Sequence, residues 1–224
     1  MILSRPRAVI FDWDNTLVDS WACIRAAMNA TLKAMGHVEW GMEETKDRVA
    51  LSMRDSFPTL FGERWTEARD IFYASFSAIH IDYLRPLPGA TAMLEALAGM
   101  GVALAVVSNK NGGFLREEAR HLGWDKLFGR VVGATDAAAD KPSPAPVLLA
   151  LESSGVAPGA DVWFVGDASV DMECALNSGC TPILMRQDLP QKGEFDRHPP
   201  QRHVACCDEF ADLVRQLLVP ISSI

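Results

Sequence analysis

Hydrophobic and polar positions are distributed along this chain in two different ways. Ala8 to Phe11 is an unbroken apolar run that ends at the polar group Asp12, Asp14, Asn15 and Thr16, the pattern of a strand covered on both faces by helices. After Ser20 the period changes to 3.6. Ile24, Ala27, Met28, Thr31, Leu32 and Met35 share one helical face, and Gly36 is placed to end the helix. Further helices are predicted over Glu43–Leu51, over Arg54–Phe61 and from Thr66 onward, where Ile71, Phe72, Ser75, Phe76 and Ile79 fall on one side. Arg85-Pro86-Leu87-Pro88-Gly89 then stops the helices and turns the chain, so residues 18–85 read as a helical insert with its own small core.

From Gly89 onward strands and helices alternate. The pattern predicts helices at Ala90–Ala98, Phe114–Leu122, Pro144–Ser153, Val170–Asn177 and Glu209–Leu218. Between them it predicts strands at Val102–Val107, Arg130–Gly133, Val162–Val165, Pro182–Met185 and His203–Cys206. Apolar strands interleaved with helices make right-handed βαβ units and a parallel sheet, so the fold class is α/β. The domain reading is a core of residues 1–17 and 86–224 interrupted by the all-helical segment 18–85. Gln187–Arg202, polar and with three prolines, is expected to be a surface loop.

Composition narrows the function classes. With 224 residues, 49% of them hydrophobic, the chain is long enough for one α/β domain and a smaller unit. A formal charge of -8 argues against a nucleic-acid or acidic-membrane surface, which needs a concentrated basic face. The five cysteines, Cys23, Cys174, Cys180, Cys206 and Cys207, form no Cys-x-x-Cys pair, which disfavours a disulfide framework or zinc site. With no signal peptide legible, a cytoplasmic location is expected. The longest apolar stretch, Ala96–Val107, contains two glycines and falls short of the roughly 20 residues that a membrane span takes.

The chemistry concentrates where predicted strands end, which in open parallel sheets is where ligands bind. Asp12 and Asp14 suit phosphoryl transfer through a covalent intermediate: one carboxylate attacks phosphorus and the other moves the proton. The same stretch could also be an Asx-rich turn capping a helix. Ser108-Asn109-Lys110 follows the next strand and offers a hydroxyl and helix-start amides to a phosphoryl oxygen, although taken alone it reads more simply as an N-cap. Lys141 precedes three alternating prolines, a stiff context in which its ammonium can project as a point charge, where an ordinary loop lysine would be solvated. Gly166-Asp167-Ala168-Ser169-Val170-Asp171 again puts carboxylates beyond an apolar strand; they suit magnesium or, for Asp167, simple helix capping. A charge count ties these parts together. With Asp14 protonated, Asp12, Asp167 and Asp171 carry minus three, which one divalent cation and Lys141 offset, so a phosphate dianion is admitted only with the metal bound.

These four segments, in this order, make the chain resemble the haloacid dehalogenase-like hydrolase superfamily, and within it the phosphoglycolate phosphatase-like branch. Asp12-Trp13-Asp14-Asn15-Thr16 is similar to its first motif, Ser108 to the second, Lys141 in Lys-Pro-Ser-Pro to the third, and Gly166-Asp167 through Asp171 to the fourth. The resemblance implies a Rossmann-like core with a helical cap inserted after the first motif, which closes over the crevice and supplies selectivity. It implies Asp12 as nucleophile, Asp14 as general acid and then base, and Ser108 and Lys141 as holders of the phosphoryl group. Magnesium would be coordinated by Asp12, the Asp14 carbonyl and Asp167, with Asp171 a ligand or a support. Trp13 and Asn15 depart from the leucine and glycine usual in the branch; Asn tolerates left-handed backbone angles and should keep the turn.

The activity so implied is magnesium-dependent hydrolysis of a small phosphate ester, phosphoglycolate-like or a sugar phosphate. A sugar phosphomutase of the same superfamily is the alternative, although such enzymes commonly lack threonine at the position of Thr16. A non-catalytic binding protein on the fold is a third reading, opposed by the presence of every catalytic residue type. Asp14 argues against a true dehalogenase, which has no leaving group to protonate. Lys46, Arg48 and Arg54 are the cationic candidates for a second anionic group on the substrate, and equally suit a solvated helix face.

Overall fold

The computed structural model describes residues 3–49 and 53–218. The chain forms two compact units, residues 1–17 with 86–224 and residues 18–85. In chain order, strand β1 (Ala8–Phe11) and the two-residue β2 (Val18–Asp19) precede helices α1 (Trp21–Ala34), α2 (Met42–Arg48), α3 (Met53–Phe61) and α4 (Trp65–Tyr83). Then follow β3 (Arg85–Pro86), α5 (Ala90–Gly99), β4 (Ala103–Asn111), α6 (Gly112–His121), β5 (Arg130–Ala134), α7 (Ala145–Leu151) and β6 (Val162–Gly166). Helix α8 (Ser169–Asn177), β7 (Thr181–Met185), β8 (Arg202–Val204) and α9 (Cys207–Leu218) complete the chain.

The larger unit is built on a six-stranded parallel sheet of order β5-β4-β1-β6-β7-β8, the doubly wound arrangement expected of alternating strands and helices. β1 lies between β4 and β6, with Phe11 opposite Val106 on one side and Val165 on the other. Its four residues are all buried, because helices cover both faces. Ala8 and Ile10 pack into a cluster with Val147 and Leu151 of α7 and Cys174 and Ala175 of α8. Phe11 points the other way and meets Phe210 of α9 edge-on at 5.7 Å between ring centres. The apolar run therefore fixes β1 at the centre of the sheet, and the first polar residue after it emerges at the carboxyl edge.

Two elements differ from the sequence reading. β4 continues past Val107 to Asn111, where it pairs with Ala134 after a shift in register. The extension needs close backbone approach: a Cβ on Gly133 would stand 2.4 Å from the Cα of Gly112. Segment 187–201 has no regular structure, as expected, yet it is not wholly a surface loop. Phe195 is buried against Met172 and Leu184 and holds the segment to the sheet.

In the smaller unit the chain enters and leaves through the pairing of β2 with β3. α1 buries Ala27, Met28, Thr31 and Leu32, and Gly36 ends it with φ of 79°, a conformation that favours glycine. Along α4 the buried residues recur every fourth position, Ala68, Phe72, Phe76 and His80, with Ile71, Ser75 and Ile79 half-buried at the flank. Phe72 stacks on Phe76 at 5.7 Å and Phe76 on His80 at 5.2 Å, while Phe57 of α3 meets Phe72 edge-on. Helix α2 ends at Arg48; the remaining predicted residues Ala50 and Leu51 lie outside the described residues.

Candidate active site

Asp12 continues the line of β1, its amide donating to the Val165 carbonyl at 2.8 Å. The chain then turns at once: Leu17 N–H donates to the Trp13 carbonyl at 2.9 Å and Asn15 sits at φ of 62°. Asparagine tolerates this left-handed geometry, so the departure from glycine keeps the turn. The turn brings Thr16 over to β6, where its hydroxyl donates to Asp167 Oδ1 at 3.2 Å.

Lys141 reaches the same point from the loop after β5. Its Nζ donates to Asp12 Oδ1 at 2.6 Å and to Asp171 Oδ1 at 2.7 Å, and the residue is only 3% exposed. Its backbone is clamped from both sides by Asn109, whose Oδ1 accepts from Lys141 N at 2.9 Å and whose Nδ2 donates to the Lys141 carbonyl at 3.2 Å. The local sequence pattern reads Asn109 as part of a helix start. Its amide is instead the device by which β4 aims the lysine.

Asp171 is fully buried in the first turn of α8, and its second oxygen accepts from Ala168 N at 3.1 Å. Gly166 makes room for it, since a Cβ there would lie 2.3 Å from the Asp171 carboxylate carbon. Asp167 is steadied by Arg186, at the end of β7, which donates to the Asp167 carbonyl at 3.1 Å and forks onto Glu194 at 2.7 and 2.6 Å. Nothing in the sequence pattern marked Arg186 or Glu194. Ser108 is buried on β4, its Oγ accepting from Lys110 N at 3.2 Å.

Oxygens of Asp12, Asp167 and Asp171 lie within 4.8 Å of one another. Three carboxylates against one ammonium leave this buried cluster at minus two when all are ionised. Burial, with the neighbouring charges of Asp171 and Asp14 behind it, pushes the Asp12 carboxyl up to about 6 against the pull of Lys141. Burial, with the neighbouring charges of Asp171 and Asp12, holds Asp167 well above the usual carboxylate range. Burial opposes the Lys141 ammonium too, but Asp12 and Asp171 outweigh it and keep the lysine charged. A compact set of oxygen donors with two uncompensated charges fits a hard divalent cation such as magnesium, and lacks the soft or nitrogen donors that zinc or copper sites use.

The Asp14 side chain stands apart from that cluster. It accepts from Lys110 Nζ at 2.7 Å, and Lys110 donates also to Glu118 Oε2 at 2.7 Å. The Trp13 indole donates to the same Glu118 oxygen at 2.7 Å. Glu118 was legible after the fact: it shares a face of α6 with Leu115, Ala119 and Leu122, a charged residue inside an apolar stripe. In the smaller unit, Lys46 lies 3.8 Å from Glu43 and over the Trp21 ring, and Arg48 lies 3.0 Å from Glu44 and over Trp40. Both cations are thus engaged within their own unit; the Arg54 side chain lies outside the described residues.

A comparison with known families matches residues 9–185 to the haloacid dehalogenase-like hydrolases. The chain is 31% identical over 179 residues to a phosphoglycolate phosphatase of Aquifex aeolicus, covering 80% of this chain and 84% of that one. It is 30% identical to a phosphoglycolate phosphatase of Neisseria gonorrhoeae, with 93% of each covered. Among solved structures it superposes on a haloacid dehalogenase superfamily hydrolase of Ehrlichia chaffeensis with a TM-score of 0.68 at 29% identity, covering 97% of this chain and all of that one. The chain belongs to the haloacid dehalogenase-like hydrolase family, on its phosphoglycolate phosphatase-type branch, and is a phosphatase-type hydrolase. Among the described residues, no helix is long and apolar enough to cross a membrane.

Proposed function

We propose that this enzyme is a magnesium-dependent phosphatase that hydrolyses a small phosphate monoester, phosphoglycolate-like or a sugar phosphate, with Asp12 as the nucleophile. The observation that carries the reading is the Lys141 ammonium, bonded at 2.6 Å to Asp12 and at 2.7 Å to Asp171, with Asp167 beside them at the carboxyl edge of β1. The relatives that bear the name phosphoglycolate phosphatase support the substrate class.

In this mechanism an Asp12 carboxylate oxygen attacks phosphorus, the bond from phosphorus to the ester oxygen breaks, and Asp14 gives its proton to the departing alcohol. Asp14, now a carboxylate, takes a proton from water as the water oxygen attacks phosphorus. The bond from phosphorus to Asp12 then breaks, releasing inorganic phosphate and restoring Asp12. Lys141 and Ser108 hold the phosphoryl oxygens. Asp12, Asp167 and the Asp14 carbonyl would hold magnesium, whose charge lets a phosphate dianion approach and stabilises charge on the transferring group. Asp171, with one oxygen on Lys141 and the other on the Ala168 amide, supports the lysine and offers a further oxygen beside the metal ligands.

The test is a panel of small phosphate esters with and without magnesium, beside Asp12→Asn. Activity is expected only with metal and only in wild type. A folded Asp12→Asn variant that keeps more than a trace of turnover would overturn the nucleophile assignment, and conversion of a hexose 1-phosphate to an isomer without phosphate release would favour a mutase.

A further inference from the structure

The larger unit contains a second buried charge cluster, in which Asp14 meets two charged residues, Lys110 and Glu118, that the chemistry above does not use. Lys110, its side chain 7% exposed, donates at 2.7 Å both to Asp14 and to Glu118, whose side chain is 1% exposed. Burial works against the Lys110 ammonium, and the two carboxylates more than offset it, so the lysine stays charged. Glu118 is fixed by the indole N–H of Trp13, a fully buried ring that packs edge-on against Trp124 at 5.6 Å. A carboxylate in the apolar face of α6 is costly unless it is paired, and here its partners lead straight to the catalytic turn.

We propose that Lys110 is the positioning residue for Asp14, aimed in its turn by Glu118 and the Trp13 indole. The inference rests on the reading of Asp14 as acid and base given above. An aspartate on a turn can swing among staggered rotamers. Bonded to an ammonium that is anchored at the end of β4 and again on α6, the Asp14 carboxylate keeps one direction, and proton transfer depends steeply on such alignment. Trp13 thereby has a use beyond filling space, as the donor that settles which oxygen of Glu118 faces Lys110.

The step to watch is hydrolysis of the phosphorylated enzyme, in which Asp14 must take a proton from water. With 4-nitrophenyl phosphate and magnesium the leaving group departs without needing a proton, so phosphorylation of Asp12 is insensitive to Asp14 while the second step is not. Lys110→Met is expected to show a rapid burst of nitrophenol approaching one equivalent per enzyme, then a steady rate lower by about tenfold or more, within the range a general base contributes. The double variant Lys110→Met with Glu118→Gln removes one charge of each sign and keeps an acceptor for Trp13; it should be folded and burst likewise. A merely structural lysine would slow both steps together and give no burst, which would overturn the proposal. Asp14→Asn separates the two readings. If it bursts while neither Lys110 variant does, Asp14 stays the base and the positioning role falls; if it turns over like wild type, the role assigned to Asp14 itself falls.

Discussion

Asp12→Asn should make the metal-free protein more stable, not less. The Asp12 carboxyl is raised from its ordinary 3.8 to about 6, chiefly by burial and by the facing carboxylates, with the pull of Lys141 already included. Such a group binds its proton more tightly when folded than when unfolded, so above pH 6 its ionised form costs folding about 3 kcal/mol. That cost should decline to about half at pH 5 and become small near pH 4, as the folded form takes up the proton. Asparagine carries no charge to desolvate and can still accept from Lys141. In chelator at pH 7.5 it should therefore raise the melting temperature by roughly 6–12 °C for a chain of this size, and the gain should shrink as the pH falls. Magnesium should narrow that difference. At a hundredfold excess over its dissociation constant a ligand of the native state adds about 2.7 kcal/mol to wild type, and less to a variant that has lost a ligand oxygen. Differential scanning fluorimetry at pH 7.5 and 5, with chelator and with magnesium, reads all four cases. A variant less stable than wild type in chelator, or an advantage independent of pH, would show that the cluster does not hold the electrostatic strain described above.

Lys141→Met should abolish turnover and cost about 3–5 kcal/mol in urea unfolding, because it leaves Asp12 and Asp171 buried without their shared partner. Gly166→Ala puts a Cβ 2.3 Å from the Asp171 carboxylate carbon and should cost about 1–3 kcal/mol, whereas Gly99→Ala in α5, with nothing within 4 Å, should be neutral or stabilising; chemical denaturation of the pair checks both. Of the five free thiols only Cys206 is exposed, and burial raises Cys174 and Cys207 to about 12 and Cys180 to about 11. A thiol reagent at pH 8 should therefore titrate one cysteine quickly in the native protein and the rest only after denaturation.

What the sequence determined by itself is whatever depends on neighbours along the chain. The apolar run at Ala8–Phe11 could only be a central strand, the 3.6 period after Ser20 could only be helix, and prolines 86 and 88 had to end the insert. The four acidic and basic segments were legible because each follows an apolar strand, and a parallel sheet delivers all such ends to one edge. Tertiary structure decided what depends on partners far along the chain. Asn109 became a clamp only because the loop carrying Lys141, 32 residues later, folds back beside it. Glu118 became a partner of Lys110 only because α6 turns that face toward β4, and Arg186 came to hold Asp167 only because β7 lies beside β6. Periodicity tells which face of an element is buried; it carries no information on which polar group waits on the other side, because a buried charge is tolerated only by a partner that the fold, and not the local pattern, supplies.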